Sequence, residues 1–189
     1  SSSVHKRTFR RKRFRLFHAM KILETKRHLL RTMNEDDFPA LCAILQDPLV
    51  MHAYAHAFSD EEVHDWLKRQ MTRYAHDGFG LWALIRKSDG AFIGQCGITM
   101  QEVGKTRVPE LGWLLRRDCW HQGHASEAAL ACRAYAFDQL GYDEVFAIIR
   151  DTNTASQRVA RRIGMTPRFT FIKHYYGIDM PHIVFSIKK

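Results

Sequence analysis

The sequence predicts an α+β domain built around one mixed, mostly antiparallel sheet with about four helices, an arrangement close to an α/β sandwich. Three observations predict it. Residues 81–115 read as three consecutive strands joined by short polar turns, which is the pattern of an antiparallel meander. Two amphipathic helices precede that meander, and two strand-to-helix turns follow it about 30 residues apart. At 189 residues with 46% hydrophobic side chains, the chain is long enough for one well-packed domain and short for two.

Each element has a local cause. Ile22 to Arg31 reads as an edge strand, followed by a turn in which Asn34 or Thr32 caps a helix with an acidic first turn (Glu35, Asp36, Asp37). Phe38, Leu41 and Leu45 then recur at helical spacing. Ser59 and Glu62 form a capping box for a second helix, whose apolar stripe is Val63, Trp66, Leu67, Met71 and Tyr74. The meander turns at Ser88-Asp89-Gly90 and at Gly104-Lys105. Ala125 to Leu140 is rich in helix formers, with Leu130, Ala134 and Phe137 expected to face the core and Gly141 as the stop. VFAIIR (145–150) reads as a buried strand, Thr154 to Ile163 as a short amphipathic helix, and the last 24 residues as one or two strands.

Charge is unevenly placed. The net +9 and pI near 9.6 come mainly from residues 1–20, which hold seven basic side chains and no acid; the rest of the chain holds 22 basic and 20 acidic ones, a net of +2. A basic footprint on a folded face, as nucleic-acid binding requires, is therefore not indicated by the total charge. Residues 1–19 are expected to be a basic leader of vector origin or a solvated tail, ahead of a domain spanning 20–189; in the sharper reading they form a basic arm whose Phe9, Phe14 and Phe17 assist contact with nucleic acid or anionic lipid. No apolar stretch is long enough for a membrane span and the start lacks a signal-peptide core. Four scattered cysteines without CxxC spacing read as reduced thiols, so a cytoplasmic protein with no membrane partner is expected.

The segment Trp120-His121-Gln122-Gly123-His124-Ala125 carries chemistry. It joins a strand to a helix with a glycine at the tightest point, so unpaired N–H groups and the positive end of the helix dipole face outward, a setting that suits a pyrophosphate. Asn153-Thr154-Ala155-Ser156 opens the next helix after the next strand, at the same edge of the predicted sheet. Trp-x-x-Gly-x-Ala, then Asn-x-x-Ser and Gly164-Met165, resembles the acetyl-CoA signature of the GNAT superfamily of N-acetyltransferases. Thr25 to Arg31 and Glu110-Leu111-Gly112-Trp113 narrow the resemblance toward the ribosomal-protein N-terminal (RimJ/RimL-type) acetyltransferases, over nearly all of residues 20–189.

That resemblance implies a GNAT fold, with the sheet splayed between its fourth and fifth strands and pantetheine lying in the wedge. Backbone groups of Trp113, Leu114 and Leu115 would pair with pantetheine amides, and the N–H groups of His121, Gln122, Gly123, His124, Ala125 and Ser126 would hold the pyrophosphate. Asn153 would lie beside the pantetheine arm. Trp120 stands where many relatives have Gln or Arg, a departure of small weight because the donors are main-chain atoms. The implied reaction is acetyl transfer from acetyl-CoA directly to a primary amine, with no metal.

An α-amino group with a pKa of roughly 8 is mostly protonated at neutral pH, so the transfer needs a base. Glu110 is the first candidate, three to five residues before the cofactor-binding backbone on the same strand; an ordinary strand carboxylate or ion-pair partner is the alternative. The Leu114 amide is proposed to hold the developing oxyanion. Many GNAT enzymes place a tyrosine seven residues after the motif asparagine, and this chain has Ala160 there. Ser156 is the substitute acid the nearer branch suggests, with a helix-capping role as the alternative. Tyr175 and Tyr176 are further candidates, or packing residues.

Weaker signals complete the list. His52 and His56 are four apart without a third ligand, so no metal is expected; Tyr54 and Phe58 either touch substrate or pack in the core. Cys119 invites an acyl-cysteine route, which the absence of a thiolate-stabilising neighbour in sequence argues against. His121 and His124 either add charge at the phosphates or face solvent. The acceptor amine is read as a protein N-terminal α-amino group. A small-molecule amine (antibiotic, amino acid or polyamine) is the alternative, and a silent acyl-CoA-binding module or an RNA-associated protein are rivals of other classes. A monomer or homodimer is expected.

Overall fold

The computed structural model describes residues 19–189, so the expected basic leader lies outside the described residues except for Ala19. Eight strands form one sheet in the order β1-β2-β3-β4-β5-β6-β8-β7. They are β1 (Lys21–Glu24), β2 (His28–Arg31), β3 (Leu81–Arg86), β4 (Phe92–Val103), β5 (Thr106–Leu115), β6 (Glu144–Arg150), β7 (Thr166–Tyr175) and β8 (Ile178–Lys188). Four helices accompany them: α1 (Phe38–Leu45), α2 (Asp60–His76), α3 (His124–Asp138) and α4 (Thr154–Arg162).

The expected single edge strand is in fact a hairpin. Leu23 pairs with Leu30 and Glu24 with Leu29, around a turn at Thr25-Lys26-Arg27. The cause lies 100 residues away, in the first turn of α3. Glu127 Oε2 accepts the Thr25 hydroxyl at 2.6 Å and the Arg27 N–H at 3.0 Å, and Arg27 Nε donates to Glu127 Oε1 at 2.8 Å. No local pattern announces such a turn.

Asn34 is the cap on the next segment: its side chain accepts the Asp36 N–H at 2.9 Å and Asp37 reaches back to the Asn34 N–H, forming one 3₁₀ turn that leads into α1. Thr32 instead accepts the Met20 N–H. Ser59 and Glu62 cap α2 reciprocally, and Val63 and Leu67 are fully buried on its inner face. The three-stranded meander is continuous, β4 pairing with β5 from Gly94–Leu115 to Val103–Thr106 without a bulge.

Of the face expected to turn inward on helix α3, Phe137 packs against the core, while Leu130 and Ala134 are exposed. Leu130 is 44% exposed, whereas Ala128, Ala129, Cys132 and Ala136 are buried against the sheet. Small side chains let the helix lie close to the strands, and an apolar residue on every side of α3 leaves the sequence without a dominant stripe. One cluster around Trp82, Ile98 and Phe185 packs with α3 and α4, and a second, around Leu41, Ile44 and Leu67, packs with α1 and α2.

The sheet opens between β5 and β6, which are the fourth and fifth strands if the β1–β2 hairpin is counted as one. Only Glu110 and Phe146 pair across it, in parallel. Past that point, toward Leu115 and Arg150, the two strands part and leave a wedge.

Candidate active site

Sheet register decides which backbone groups face the wedge. Arg116 N donates to Ile93 O at 2.8 Å, and antiparallel ladders alternate with period two, so Leu114–Gln95 is a hydrogen-bonded pair and Leu115–Gly94 is not. The Ile98 N–H bond to Gly80 O on the β3 side fixes the same phase. The main-chain groups of Leu114 are therefore engaged with β4, which corrects the expectation that its amide holds an oxyanion or pairs with pantetheine. Trp113 and Leu115 turn their N–H and C=O groups into the wedge. Trp120 Nε1 donates to the Leu115 carbonyl at 3.2 Å, so this tryptophan closes the outer end of the opening and leaves Leu115 its N–H alone free to face the wedge.

A cavity of about 620 Å³ runs along the wedge. Trp113, Leu114 and Leu115 form one wall, the loop around Gly123 and the start of α3 a second, and Asn153 to Ser156 with Arg158 and Arg162 a third. Gly123 has φ +78°, a left-handed conformation that glycine adopts at little cost, and α3 begins there with no side-chain cap. The first-turn N–H groups of α3 thus lack intrahelical partners where the cavity touches them. The Ser126 hydroxyl, which also lines the cavity, is buried with no hydrogen-bond partner. Orphaned donors, a helix N-terminus and the cations Arg158 and Arg162 fit an elongated polyanionic thioester such as acetyl-CoA.

Two loop residues lie elsewhere than expected. Gln122 does not line the cavity; its Nε2 donates to Asp118 O at 3.1 Å and its carbonyl accepts from Arg27 at 2.9 Å. The His124 ring faces inward, 3% exposed, with Nδ1 2.7 Å from His28 Nε2. Burial lowers the pKa of both rings, His28 to about 4. His124 therefore contributes its main chain to the cavity and no charge, whereas His121 is exposed at its mouth.

A second cavity of about 310 Å³ adjoins the first, and the two share Trp113, Leu114, Asn153 and Ser156. Glu110 lines its inner end. Glu110 Oε2 accepts the Ile148 N–H at 2.8 Å, taking the bond that β5 would supply if the sheet were closed. Burial pushes this carboxyl up to about 7, against the pull of Lys173, the Ile148 N–H and Arg73, although its surface stays partly open to the cavity. Asn153 Oδ1 accepts the Ser156 N–H at 3.2 Å, so Asn153 is the cap of α4 and the Ser156 hydroxyl is not. That hydroxyl stands where the two cavities meet. Ala160, one turn on, is fully buried, and a tyrosine would not fit there.

Tyr54 and Phe58 line the second cavity together with Trp66, and Tyr54 is 38% exposed rather than packed in the core. Tyr175 and Tyr176 stand exposed at its rim. His52 and His56 do not share a helical face, because a 3₁₀ turn ends at Ala55 with φ +75°, and His56 pairs with Glu62 at 2.9 Å. Among the described residues no group of three potential ligands could hold a metal. Cys119 is buried on the first cavity, and burial with Asp118 beside it raises its thiol.

A family model described as acetyltransferase (GNAT) domain matches residues 27–166. The chain belongs to the GNAT acetyltransferase family. It is an acyltransferase enzyme with the GNAT fold. The uncharacterized protein YkkB of Bacillus subtilis is 36% identical over 144 residues, covering 76% of this chain and 84% of its own. An FsC-acetyl coenzyme A-N(2)-transacetylase of Aspergillus fumigatus is 31% identical over 160 residues, covering 76% of this chain and 66% of that protein. Among solved structures, an acetyltransferase from Agrobacterium tumefaciens superposes with a TM-score of 0.77 at 25% identity, covering 92% of this chain and 97% of its own. The ribosomal L7/L12 alpha-N-protein acetyltransferase RimL, in complex with coenzyme A, gives 0.71 at 17%, covering 90% and 98%. Members outside the RimL type match as well, so the family is shown and the branch is a finer matter.

The sequence reading passed over the cations. Arg158 and Arg162 are four apart on α4, and Arg69 and Arg73 follow Trp66 on one face of α2; both spacings were readable.

Proposed function

We propose that this GNAT enzyme binds acetyl-CoA in the larger cavity and transfers the acetyl group directly to an α-amino group presented from the smaller one. The observation that carries this reading is the junction of the two cavities at Trp113, Leu114, Asn153 and Ser156, with Glu110 on the acceptor side. The RimL type is the branch this reading favours. Relatives whose names specify an alpha-N-protein and an N(2) position support an α-nitrogen acceptor.

Acetyl-CoA supplies an activated acyl group and a thiolate leaving group. The N–H groups of the α3 first turn and the Ser126 hydroxyl hold the pyrophosphate, and Arg158 and Arg162 meet the remaining phosphate charge. Trp113 offers its wedge-facing N–H and C=O and Leu115 its N–H to the pantetheine arm, the Leu115 carbonyl being held by Trp120, and a wedge-facing N–H of this pair replaces the Leu114 amide as oxyanion donor. Asn153 shapes the arm's path while it caps α4.

Glu110 takes the proton that the amine loses as its nitrogen bonds to the carbonyl carbon, directly or through one water. With a pKa near 7 it is a base matched to neutral pH, and Oε1 is the free oxygen because Oε2 is bonded to Ile148. Ser156 donates to the departing sulfur as the carbon–sulfur bond breaks. The raised Cys119 thiol fits no acyl-cysteine step. Release of CoA thiol in the presence of an α-amine peptide, at a rate far above acetyl-CoA hydrolysis alone, tests the reading.

A further inference from the structure

The second cavity is lined by four cations and one carboxylate, Glu110, on which Arg73 and Lys173 act through space. Arg69 and Arg73 come from α2, Arg150 from the end of β6 and Lys173 from β7, and none is in an ion pair with an Asp or Glu among the described residues. Arg31 pairs with Asp37, Arg86 with Asp89, Arg116 with Asp118 and Arg117 with Asp47, whereas Arg158 and Arg162, which line the first cavity, are likewise in no ion pair among the described residues. In the cavity, Arg73 donates only to the Gln70 amide oxygen at 3.2 Å, Arg150 reaches the His52 carbonyl at 3.3 Å, and Lys173 lies over the Phe171 and Tyr175 rings. The Arg150 Nε is buried and has no hydrogen-bond partner among the described residues. Glu110 is the one carboxylate on this wall, and Ile148 already holds one of its oxygens.

Four cations facing a single carboxylate leave an excess of positive charge that a bound anion relieves, and arginine is the side chain suited to grip a carboxylate by two bonds. The same field turns away polycationic amines. We propose that the acceptor is an α-amine whose own molecule bears an anionic group, a carboxylate above all, seated against Arg69, Arg73 and Lys173 while the amine faces Glu110. Arg73 and Lys173 act on Glu110 through space, so both charges of such an acceptor meet complementary groups within one cleft, and the aromatic walls (Tyr54, Trp66, Tyr176) supply its apolar contact. This rests on the reading of the second cavity as the acceptor site.

The test uses the whole chain with acetyl-CoA and measures CoA-thiol release on matched acceptors: peptides identical except for acidic, neutral or basic residues after the N-terminal one, free glutamate, and spermine. The expected result is kcat/KM at least about tenfold higher for an acidic acceptor than for its neutral twin, lowest values for the basic peptide and spermine, and loss of the preference as ionic strength rises. Activity on the acidic peptide or on free glutamate tells whether the carboxylate comes from a polypeptide or an amino acid. Arg69→Glu, at an exposed position that should not disturb folding, is expected to raise KM for the acidic acceptor and narrow the gap to the basic one. Equal or greater use of neutral or basic acceptors, or an Arg69→Glu enzyme with unchanged charge preference, overturns the inference and leaves the acetyltransferase reading standing. Tight acetyl-CoA binding with no turnover on any amine overturns that reading and this inference together.

Discussion

Glu110 Oε2 accepts the Ile148 N–H at 2.8 Å across the mouth of the splay, so one carboxylate both holds β6 where the sheet opens and lines the second cavity. Glutamine in its place keeps an oxygen acceptor for Ile148 and loses the base. Glu110→Gln should therefore fold, bind acetyl-CoA as before, and lose on the order of 10²-fold in kcat/KM. The parent enzyme should gain activity as pH rises through about 7, where this carboxyl ionises, and the variant should lack that inflection. A pH profile of the two proteins checks it.

The same group leaves a mark on stability. A carboxyl raised to about 7 keeps its proton in the folded chain while the unfolded chain has lost it, so the folded state binds more protons between roughly pH 4.5 and 7 and loses stability as pH climbs through that window. Glu110→Gln does not titrate there. Its Tm relative to the parent should improve from pH 5 to pH 8, as differential scanning fluorimetry would read.

His28 behaves in the opposite sense. Its pKa is lowered to about 4 by burial, so the folded chain binds fewer protons than the unfolded one between about 6.5 and 4. The stability contributed by the neutral ring is present above about 6.5 and is lost as pH falls toward 4. A His28→Gln chain should show a shallower fall in Tm over that range. Because His28 supports the His124 ring beneath the phosphate loop, its acetyl-CoA affinity should also drop.

Gly123 and Gly94 shape the first cavity in different ways. At Gly123 a Cβ meets nothing closer than Arg27 at 3.4 Å, so the objection to a side chain is its φ of +78° rather than crowding. Gly123→Val should cost about 1–2 kcal/mol and weaken acetyl-CoA binding through a displaced loop, measured by calorimetry. At Gly94 an added Cβ would overlap the Leu114 carbonyl oxygen and press on Leu115. Gly94→Ala should cost about 1–3 kcal/mol by overpacking, seen as a lower Tm, and disturb the strand that lines the wedge.

Ser156→Ala should lower kcat about tenfold with acetyl-CoA affinity unchanged, a modest loss because a thiolate is a good leaving group. Steady-state kinetics on a fixed peptide separates this from a capping defect, since Asn153 keeps the helix start intact.

Local signals in the chain reached as far as local physics does. The Ser59–Glu62 capping box, the turns at Gly90 and Gly104 and the glycine opening α3 each depend on neighbours within a few residues, and each stands where the sequence placed it. The β1–β2 turn depends on Glu127, a contact no window spans. The buried face of α3 was misread because Leu130 looks like core and Ala128 does not, whereas close helix-to-sheet packing selects the smaller residue. In the site, motif spacing pointed to the Gly123 loop and Asn153, which the structure brings to one cavity, but the phase of the β5 ladder, which moves the wedge-facing amides from Leu114 to Trp113 and Leu115, follows only from pairing with β4.

The central claim is direct transfer from acetyl-CoA in one cavity to an α-amine in the other. It is tested most directly by incubating the enzyme with isotopically labelled acetyl-CoA and an α-amine peptide whose lysines are blocked, then locating the label by mass spectrometry. The account predicts label on the peptide's N-terminal nitrogen and none on the enzyme. Label on Cys119, or an unlabelled peptide with acetyl-CoA bound, would contradict it.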